Sequence, residues 1–271
     1  MTPDWLRVER RGAPLIVSIP HAGTDLAGFE PHFTSPWLAR RDADWHVPDL
    51  YDFAGSLGAT IVRTTISRSV VDVNRNPDGV SLYPGQATTE LCPTTTFDGE
   101  PLYRDGEAPD EAGIAERRAR FFSPYHAALR AEIARLKAAH GRVALYDAHS
   151  IRSVIPRLFE GELPVFNLGT NTGRSCSEAL RGRLVAVLAA SGESFAVDGR
   201  FKGGWITRDF GAPDDGVEAV QLELACRAYM AEPARPSPQN WPGPLDEVLA
   251  APTRATLRAL LAALLDWTAG R

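Results

Sequence analysis

Short runs of apolar residues alternate along this chain with longer segments in which apolar residues recur at helical spacing. The short runs predict six strands, at residues 14–19, 59–66, 142–147, 164–168, 194–197 and 217–224. The longer segments predict helices at residues 48–57, 110–140, 173–190 and 252–269. Strands that alternate with helices are typical of an α/β fold with a mostly parallel sheet, because the connecting helices cover both of its faces.

Two segments between these elements are rich in glycine, proline and polar residues. They comprise residues 67–109, after the second predicted strand, and residues 199–216, before the last one. Loops of this length inside a compact domain are usually functional or disordered. Their aromatic and arginine content favours a function, so we predict two functional loops. The 271 residues are expected to form one domain, residues 1–271.

Composition and charge narrow the choice of partners. The net charge is −5 at pH 7, and there is no block or stripe of basic residues. Nucleic acid and anionic membrane surfaces are therefore not expected as partners. A small anionic ligand remains compatible with this charge, because a few arginines can form a local binding site. The three cysteines are far apart and form no CxxC pair, which argues against a disulfide framework or a cysteine zinc site.

The sequence also bears on where the protein is expected to reside. The first residues, MTPDWLRVER, lack the apolar region of a signal peptide. We find no apolar run that approaches the roughly 18 residues typical of a membrane span. We therefore predict a reduced, cytoplasmic protein with no membrane partner, and the sequence leaves the number of subunits open.

Two predicted strands end in a histidine. The strand at 14–19 leads into His21, and the strand at 142–147 leads into His149 within the stretch DAHS. In open α/β sheets, ligands bind outside the carboxyl ends of the strands. One such histidine is equally well explained by hydrogen bonding at a strand end, but two in equivalent places favour metal ligation or acid–base chemistry. Asp147 could orient a ligand histidine or cap the turn.

A third metal ligand is expected in the stretch RRDADWHV. A catalytic zinc site takes three protein ligands and keeps one open position. Asp42, Asp44 and His46 precede the helix that begins at Pro48, and the residue before a proline favours extended backbone. Alternate residues of an extended segment share one side, so all three could face one site. The alternative is that these acids cap the helix. We select Asp44 as the ligand and keep Asp42 and His46 as alternatives.

Glu223 lies within the apolar run VEAVQLELAC, which reads as a buried strand. Burial of an ionised carboxylate without a partner is costly. This glutamate is therefore either paired with an arginine or lysine, or is a general base with a shifted pKa near a metal. The histidines nearby favour the general base.

Positively charged and amide side chains in the two loops indicate an anion-binding pocket beside the metal. Adjacent Asn and Arg residues in SRSVVDVNRNPDG can present several donors to a carboxylate, and arginine does so in a bidentate manner. The alternative is an ordinary surface loop held by Asx turns. The candidate residues of the pocket are Arg68, Asn74, Arg75, Arg152, Lys202 and Arg208.

These motifs together carry a resemblance to a known family. The succession SIPHAG, DADWH, SRSVVDVNRNPDG, LCPTTTFDGEPLY, YDAHSI, FKGGWITRDFG and VQLELA resembles the N-formylglutamate amidohydrolases, from about residue 14 to residue 230. The pair in DVNRN is similar to the Asn-Arg pair with which zinc carboxypeptidases hold a terminal carboxylate. The family is also similar in fold to those enzymes and to zinc-dependent cell-wall amidases.

The resemblance implies hydrolysis of N-formylglutamate to formate and glutamate, a last step of histidine degradation. It also implies a three-layer α/β/α sandwich of the phosphorylase/hydrolase-like, zinc-exopeptidase type. One divalent metal, expected to be Zn²⁺, would be held by His21, Asp44 and His149. Glu223 would be the catalytic base, and Arg152 would stabilise the oxyanion. A related zinc amidohydrolase for another N-acyl amino acid or small peptide, and a metal-free anion-binding protein, are the alternatives.

Overall fold

A mixed seven-stranded sheet forms the centre of the protein, which we describe from a computed structural model over residues 3–270. The strands are β1 (Leu6–Glu9), β2 (Leu15–Ile19), β3 (Thr60–Thr64), β4 (Val143–Ile151), β5 (Phe166–Gly169), β6 (Phe195–Val197) and β7 (Val217–Ala225). Their order across the sheet is β1-β3-β2-β4-β7-β5-β6. The four central strands are parallel to one another, whereas β1 pairs antiparallel with β3 and β5 pairs antiparallel with β7.

Seven α-helices connect or flank the strands. They are α1 (Leu38–Arg41), α2 (Val47–Leu50), α3 (Glu111–Arg117), α4 (Ser123–His140), α5 (Glu178–Ala190), α6 (Trp205–Phe210) and α7 (Glu247–Thr268). A π-helical turn, Arg118–Phe122, joins α3 to α4 without a break in the helical path. Short 3₁₀ turns occur at Glu30–His32, Asp52–Leu57, Pro213–Asp215 and Cys226–Ala228.

Alternate residues along the central strands belong to two different cores. Val17 of β2 and Tyr146 of β4 pack in the first core, which extends into α5 and α7. Their chain neighbours Ile16 and Leu145 pack in the second core, which extends into α4. Side chains of a strand point alternately to the two faces of a sheet. The sheet is therefore covered by helices on both faces, as the alternation of strands and helices predicts.

The observed elements correspond to the predicted ones with several differences. Helix α1 was not predicted, and the predicted helix at 48–57 is α2 followed by the 3₁₀ turn Asp52–Leu57. The edge strand β1 was not predicted, because a four-residue strand carries little pattern. The predicted loop at 199–216 contains α6. The third predicted helix starts at Glu178 rather than at residue 173. The last helix starts at Glu247 rather than at residue 252, because the Asp246 carboxylate accepts hydrogen bonds from two backbone N–H groups of its first turn. The segment 67–109 contains no helix or strand, in agreement with its prediction as a loop.

Helix α7 meets the length and composition of a membrane-crossing helix, a feature that the sequence analysis did not find. Core helices meet the same criteria, so this is weak evidence for a membrane span. Leu257, Leu260, Leu261 and Leu264 of α7 are fully buried in the first core. Packing within the fold thus accounts for the apolar face that these four leucines form.

Candidate metal centre and substrate cavity

The carboxyl ends of three neighbouring parallel strands meet at one edge of the sheet. β2 leads into His21, and β4 carries His149 near its end. The register of β4 and β7 places His149 directly beside Glu223. The sheet therefore brings both histidines and the glutamate together, as the strand-end pattern predicts.

His21, Asp44 and His149 form a buried cluster that could hold a metal ion. One potential ligand atom of each residue lies within 4.8 Å of the others. Asp44 comes from the turn between α1 and α2, and its backbone N–H donates to the carbonyl of His21 at 3.0 Å. Its Oδ2 lies 3.0 Å from Nδ1 of His149 and 3.7 Å from Nδ1 of His21.

A buried carboxylate contacts the Nε2 atom of each histidine in the cluster. Nε2 of His21 lies 2.7 Å from Oδ1 of Asp72, and Nε2 of His149 lies 2.8 Å from Oδ2 of Asp147. Nδ1 of His21 is buried and has no hydrogen-bond partner. Ligand histidines usually donate their other N–H to a carboxylate. This arrangement leaves both Nδ1 atoms facing Asp44, as a metal site requires.

The electrostatics of the cluster are those of a site that takes up a cation. Burial, reinforced by the positive charge of Arg68, lowers the pKa of His21. Burial also acts to lower the pKa of His149, but the carboxylates of Asp147 and Asp44 outweigh it and raise that pKa well above its ordinary value. Burial opposes the ionisation of Asp44, and its contacts with the two histidines and Arg68 nevertheless lower its pKa. A metal would displace the proton of His149, since ligands bind in their deprotonated form.

The two alternative ligands, Asp42 and His46, point away from the cluster. Oδ2 of Asp42 accepts a hydrogen bond from the backbone N–H of Phe97, and Nε2 of His46 lies 2.9 Å from the carbonyl of Gly243. The expectation that alternate residues share one side is wrong here. Residues 42–46 form a turn, and His46 adopts a left-handed backbone conformation with φ 61°.

Glu223 lies in the wall of the cavity. Burial raises its pKa to about 8. No arginine or lysine of residues 3–270 is within ion-pairing distance of its carboxylate, which removes the first of the two interpretations made from the sequence. A buried carboxyl group with a pKa near neutrality is the type of group that serves as a general acid or base.

A cavity that is partly open to solvent leads from the metal cluster to the outside. Its walls combine the two histidines and Glu223 with apolar side chains from three loops, among them Phe97, Leu158 and Phe201. Its cationic side chains are Arg68, Arg75 and Arg200. The cavity can thus present positive charge and an apolar wall to a small anionic molecule.

Asn74 lines the cavity, but its side-chain amide is engaged within the protein. Its Nδ2 donates to Oδ2 of Asp147 at 2.8 Å, and its Oδ1 accepts from the backbone N–H of Ile206 at 2.8 Å. Asn74 therefore connects α6 to the carboxylate that orients His149. This contact is different from the substrate contact predicted from the sequence.

Arg68 and Arg75 lie beside the metal cluster. Nη2 of Arg68 donates to Oδ2 of Asp72 at 2.7 Å, and its Nη1 lies 3.5 Å from Oδ1 of Asp44. Arg75 donates three hydrogen bonds, to the carbonyl and hydroxyl oxygens of Thr89 and to the carbonyl of Asn74. Its Nη2 also lies 3.5 Å from Oδ2 of Asp72. A guanidinium has five N–H donors, and two of those of Arg75 make no hydrogen bond to another described residue.

The structure places the other three predicted anion-binding residues outside the cavity wall. Nη2 of Arg152 donates to Oδ2 of Asp98 at 2.6 Å and faces a separate surface groove. Arg208 packs on the ring of Tyr83 and donates to backbone carbonyls. Only the backbone N–H of Lys202 reaches this region, where it donates to the hydroxyl of Tyr83. The oxyanion role predicted for Arg152 therefore has no geometric basis, because its guanidinium turns toward Asp98.

Two residues of the site were missed from the sequence. Asp72 is fully buried and holds His21, and it belongs to the motif DVNRN, so a buried acid beside an Asn-Arg pair was an available signal. Arg200 lines the cavity, and the loop 199–216 contains a second arginine, Arg208, that does not. No local pattern separates Arg200 from Arg208, since their directions depend on how the loop packs.

Comparisons with known proteins agree with this geometry. The family model of N-formylglutamate amidohydrolase matches residues 13–230. The N-formylglutamate deformylase of Pseudomonas aeruginosa is 49% identical over 266 residues, which are 97% of each chain. That of Pseudomonas putida is 47% identical over 260 residues, 95% of this chain and 94% of the relative. The crystal structure of N-formylglutamate amidohydrolase from Ralstonia eutropha JMP134 superposes with a TM-score of 0.78 at 25% identity, covering 97% of both chains. The chain therefore belongs to the N-formylglutamate amidohydrolase family.

Proposed function

We propose that this protein hydrolyses N-formyl-L-glutamate to formate and L-glutamate. The observation that carries the proposal is the position of Glu223 beside His149 in a cavity that also contains three arginines. The relatives named N-formylglutamate deformylase, at 49% and 47% identity, support the choice of substrate. We propose that this reaction serves as a last step of histidine degradation and takes place in the cytoplasm.

A divalent metal, which we propose is Zn²⁺, fits the cluster of His21, Asp44 and His149. Two imidazoles and a carboxylate are a usual donor set of catalytic zinc, and the buried Nδ1 of His21 lacks any other partner. When bound, such a metal polarises the carbonyl oxygen of the substrate and lowers the pKa of a bound water to about 7. Asp72 and Asp147 fix the two imidazole rings in the orientation that ligation needs.

Glu223 is the proposed general base and acid. Its carboxylate takes a proton from the water that attacks the formyl carbon, so a new C–O bond forms as the carbonyl π electrons move onto oxygen. The same carboxyl group then gives the proton to the leaving nitrogen while the C–N bond breaks. The carboxyl pKa, which burial raises to about 8 without a metal, would fall toward neutrality beside a bound cation.

Arg75, together with Arg68, is the proposed binding site for the α-carboxylate of the substrate. Nη1 of Arg68 lies 3.5 Å from Oδ1 of Asp44, one of the proposed metal ligands. A carboxylate bound by Arg68 would therefore lie close to the amide that is hydrolysed. At the same end of the cavity, two N–H donors of Arg75 make no hydrogen bond to another described residue. Binding at this point would hold the small formyl group at the metal cluster.

We propose that the fold is a three-layer α/β/α sandwich of the zinc-exopeptidase type. Two cores, one on each face of a mixed sheet, are what a three-layer α/β/α sandwich requires. Both long loops, at 67–109 and 199–216, contribute residues to the same cavity, so we propose that residues 1–271 act as one domain.

The test is formate release from N-formyl-L-glutamate by the purified protein, with the metal content of the same sample measured. N-acetyl-L-glutamate and N-formyl-L-alanine serve as comparison substrates, since each changes one part of the molecule. The proposal expects turnover of N-formyl-L-glutamate to exceed that of both by at least an order of magnitude. A higher rate on either comparison substrate would instead identify a related N-acyl amino acid amidohydrolase.

A further inference from the structure

Arg200 is a cation in the cavity wall without an acidic partner. Its Nε donates to the carbonyl of Leu158 at 2.7 Å and its Nη2 donates to the carbonyl of Ala87 at 2.8 Å. Its guanidinium also packs on the rings of Tyr83 and Phe201, at 5.4 Å and 5.3 Å. No carboxylate of residues 3–270 lies within ion-pairing distance of it. These contacts fix the guanidinium but leave three of its five N–H donors unused.

The surroundings of Arg200 make its charge costly in the absence of an anion. The side chain is half-buried among aromatic and aliphatic groups. Burial and the like charge of Arg75 lower its pKa, and they outweigh the opposing effects of Tyr83 and Glu223. A cation removed from water without a counter-charge destabilises the fold. A binding role fits these surroundings, because a bound anion would supply a counter-charge in direct contact with the guanidinium.

The three cavity arginines differ in their relation to the metal cluster. Arg68 contacts Asp44 and Arg75 approaches Asp72, whereas Arg200 contacts none of the cluster residues. Its neighbours Leu158 and Phe201 belong to a separate apolar cluster. Arg200 is thus held by a different set of loop contacts from those that hold Arg68 and Arg75 beside Asp72.

N-formylglutamate has two carboxylates at different distances from its reacting group. The α-carboxylate is attached to the carbon that bears the formamide, and the γ-carboxylate lies two methylene groups farther along the side chain. Given the proposed function, on which this inference rests, we propose that Arg200 binds the γ-carboxylate and selects glutamate over amino acids with neutral side chains. The apolar wall beside it would contact the two methylene groups.

The test compares N-formyl-L-glutamate with N-formyl-L-glutamine, which has the same shape but a neutral amide at the γ position. The ratio of kcat/KM for the two substrates is measured for the wild type and for Arg200→Gln. Hydrogen bonds to charged groups contribute enough free energy that the ratio should fall about 10- to 100-fold in the variant. Most of the fall should come from the glutamate substrate, with N-formyl-L-glutamine little affected.

Arg208→Gln is the matched control, because Arg208 packs on the same tyrosine ring and also donates to backbone carbonyls of these loops. Loss of loop bracing alone should change kcat/KM for both substrates by the same factor. Arg208→Gln should therefore leave the ratio of kcat/KM for the two substrates unchanged. The inference is overturned if Arg200→Gln leaves this ratio unchanged as well. If Arg200→Gln does not fold, the same ratio of kcat/KM is compared between the wild type and Arg200→Lys. A wild type that hydrolyses both substrates equally well would refute the role of Arg200 while the deformylase activity stands, whereas a wild type inactive on both would refute the proposed function itself.

Discussion

The contact between α6 and Asn74 depends on Gly204, and a methyl group at this position should disturb the metal centre. Asn74 accepts hydrogen bonds from α6 through its Oδ1 and its backbone carbonyl. A Cβ atom on Gly204 would lie 2.4 Å from both Nδ2 and Oδ1 of Asn74. Gly204 has φ −80°, which any residue can adopt, so glycine is needed here for close approach and not for backbone conformation.

The size of the effect of Gly204→Ala follows from these distances. Ordinary van der Waals contact begins at 3.4 Å, so α6 and Asn74 must separate by about 1 Å. Overpacking of this kind costs about 1–3 kcal/mol in the free energy of unfolding. Nδ2 of Asn74 donates to Asp147, and Asp147 holds His149. Loss of such support behind a ligand weakens metal binding by about 10- to 100-fold.

The assay combines urea denaturation of the metal-free protein, metal titration and steady-state kinetics. Gly211→Ala is the control, because a Cβ there would lie 2.4 Å from Cβ of Ser175, at the other end of α6. Both variants should lose similar stability, but only Gly204→Ala should lose metal affinity and turnover. If Gly204→Ala binds metal as tightly as Gly211→Ala, Asn74 does not orient the metal centre and this reasoning fails.

Three further predictions concern the metal, the base and the carboxylate site. Active protein should contain about one divalent ion per chain, and removal by a chelator should abolish turnover until metal is restored; full activity without metal would contradict the site. Glu223→Gln should retain the metal but lower kcat by at least about 100-fold, and near-normal turnover would exclude Glu223 as the base. In the metal-free protein, burial raises the pKa of Glu223 from 4.5 to about 8, so its neutral form contributes stability that is fully present below pH 4.5 and lost as the pH rises through 8. Denaturation at several pH values should therefore show the wild type losing stability relative to Glu223→Gln over that window. Arg75→Lys should lower kcat/KM for N-formyl-L-glutamate by a factor that corresponds to about 1.5–3 kcal/mol of lost transition-state stabilisation. The loss of kcat/KM should be much smaller for the α-carboxamide analogue, and equal losses on both substrates would indicate that Arg75 only braces its loop.

Much of the site could be predicted from the sequence because three of its residues lie on strands or directly after one. A strand is recognised by a local apolar pattern, and parallel strands place their carboxyl ends at one edge of the sheet. His21, His149 and Glu223 could therefore be brought together from their positions in the chain alone. The apolar run around Glu223 even indicated an unusual pKa, since burial of a carboxylate depends little on the details of the loops.

Tertiary structure alone decided the directions of side chains outside the strands. Asp44 faces the histidines while Asp42 and His46 do not, because a turn replaces the extended backbone that the following proline suggested. Arg200 faces the cavity and Arg152 turns to another groove. The direction of a loop side chain depends on contacts with residues far away in the chain, such as those of Arg200 with residues 87 and 158. No local pattern encodes such contacts, whereas the alternation of a strand encodes its own two faces.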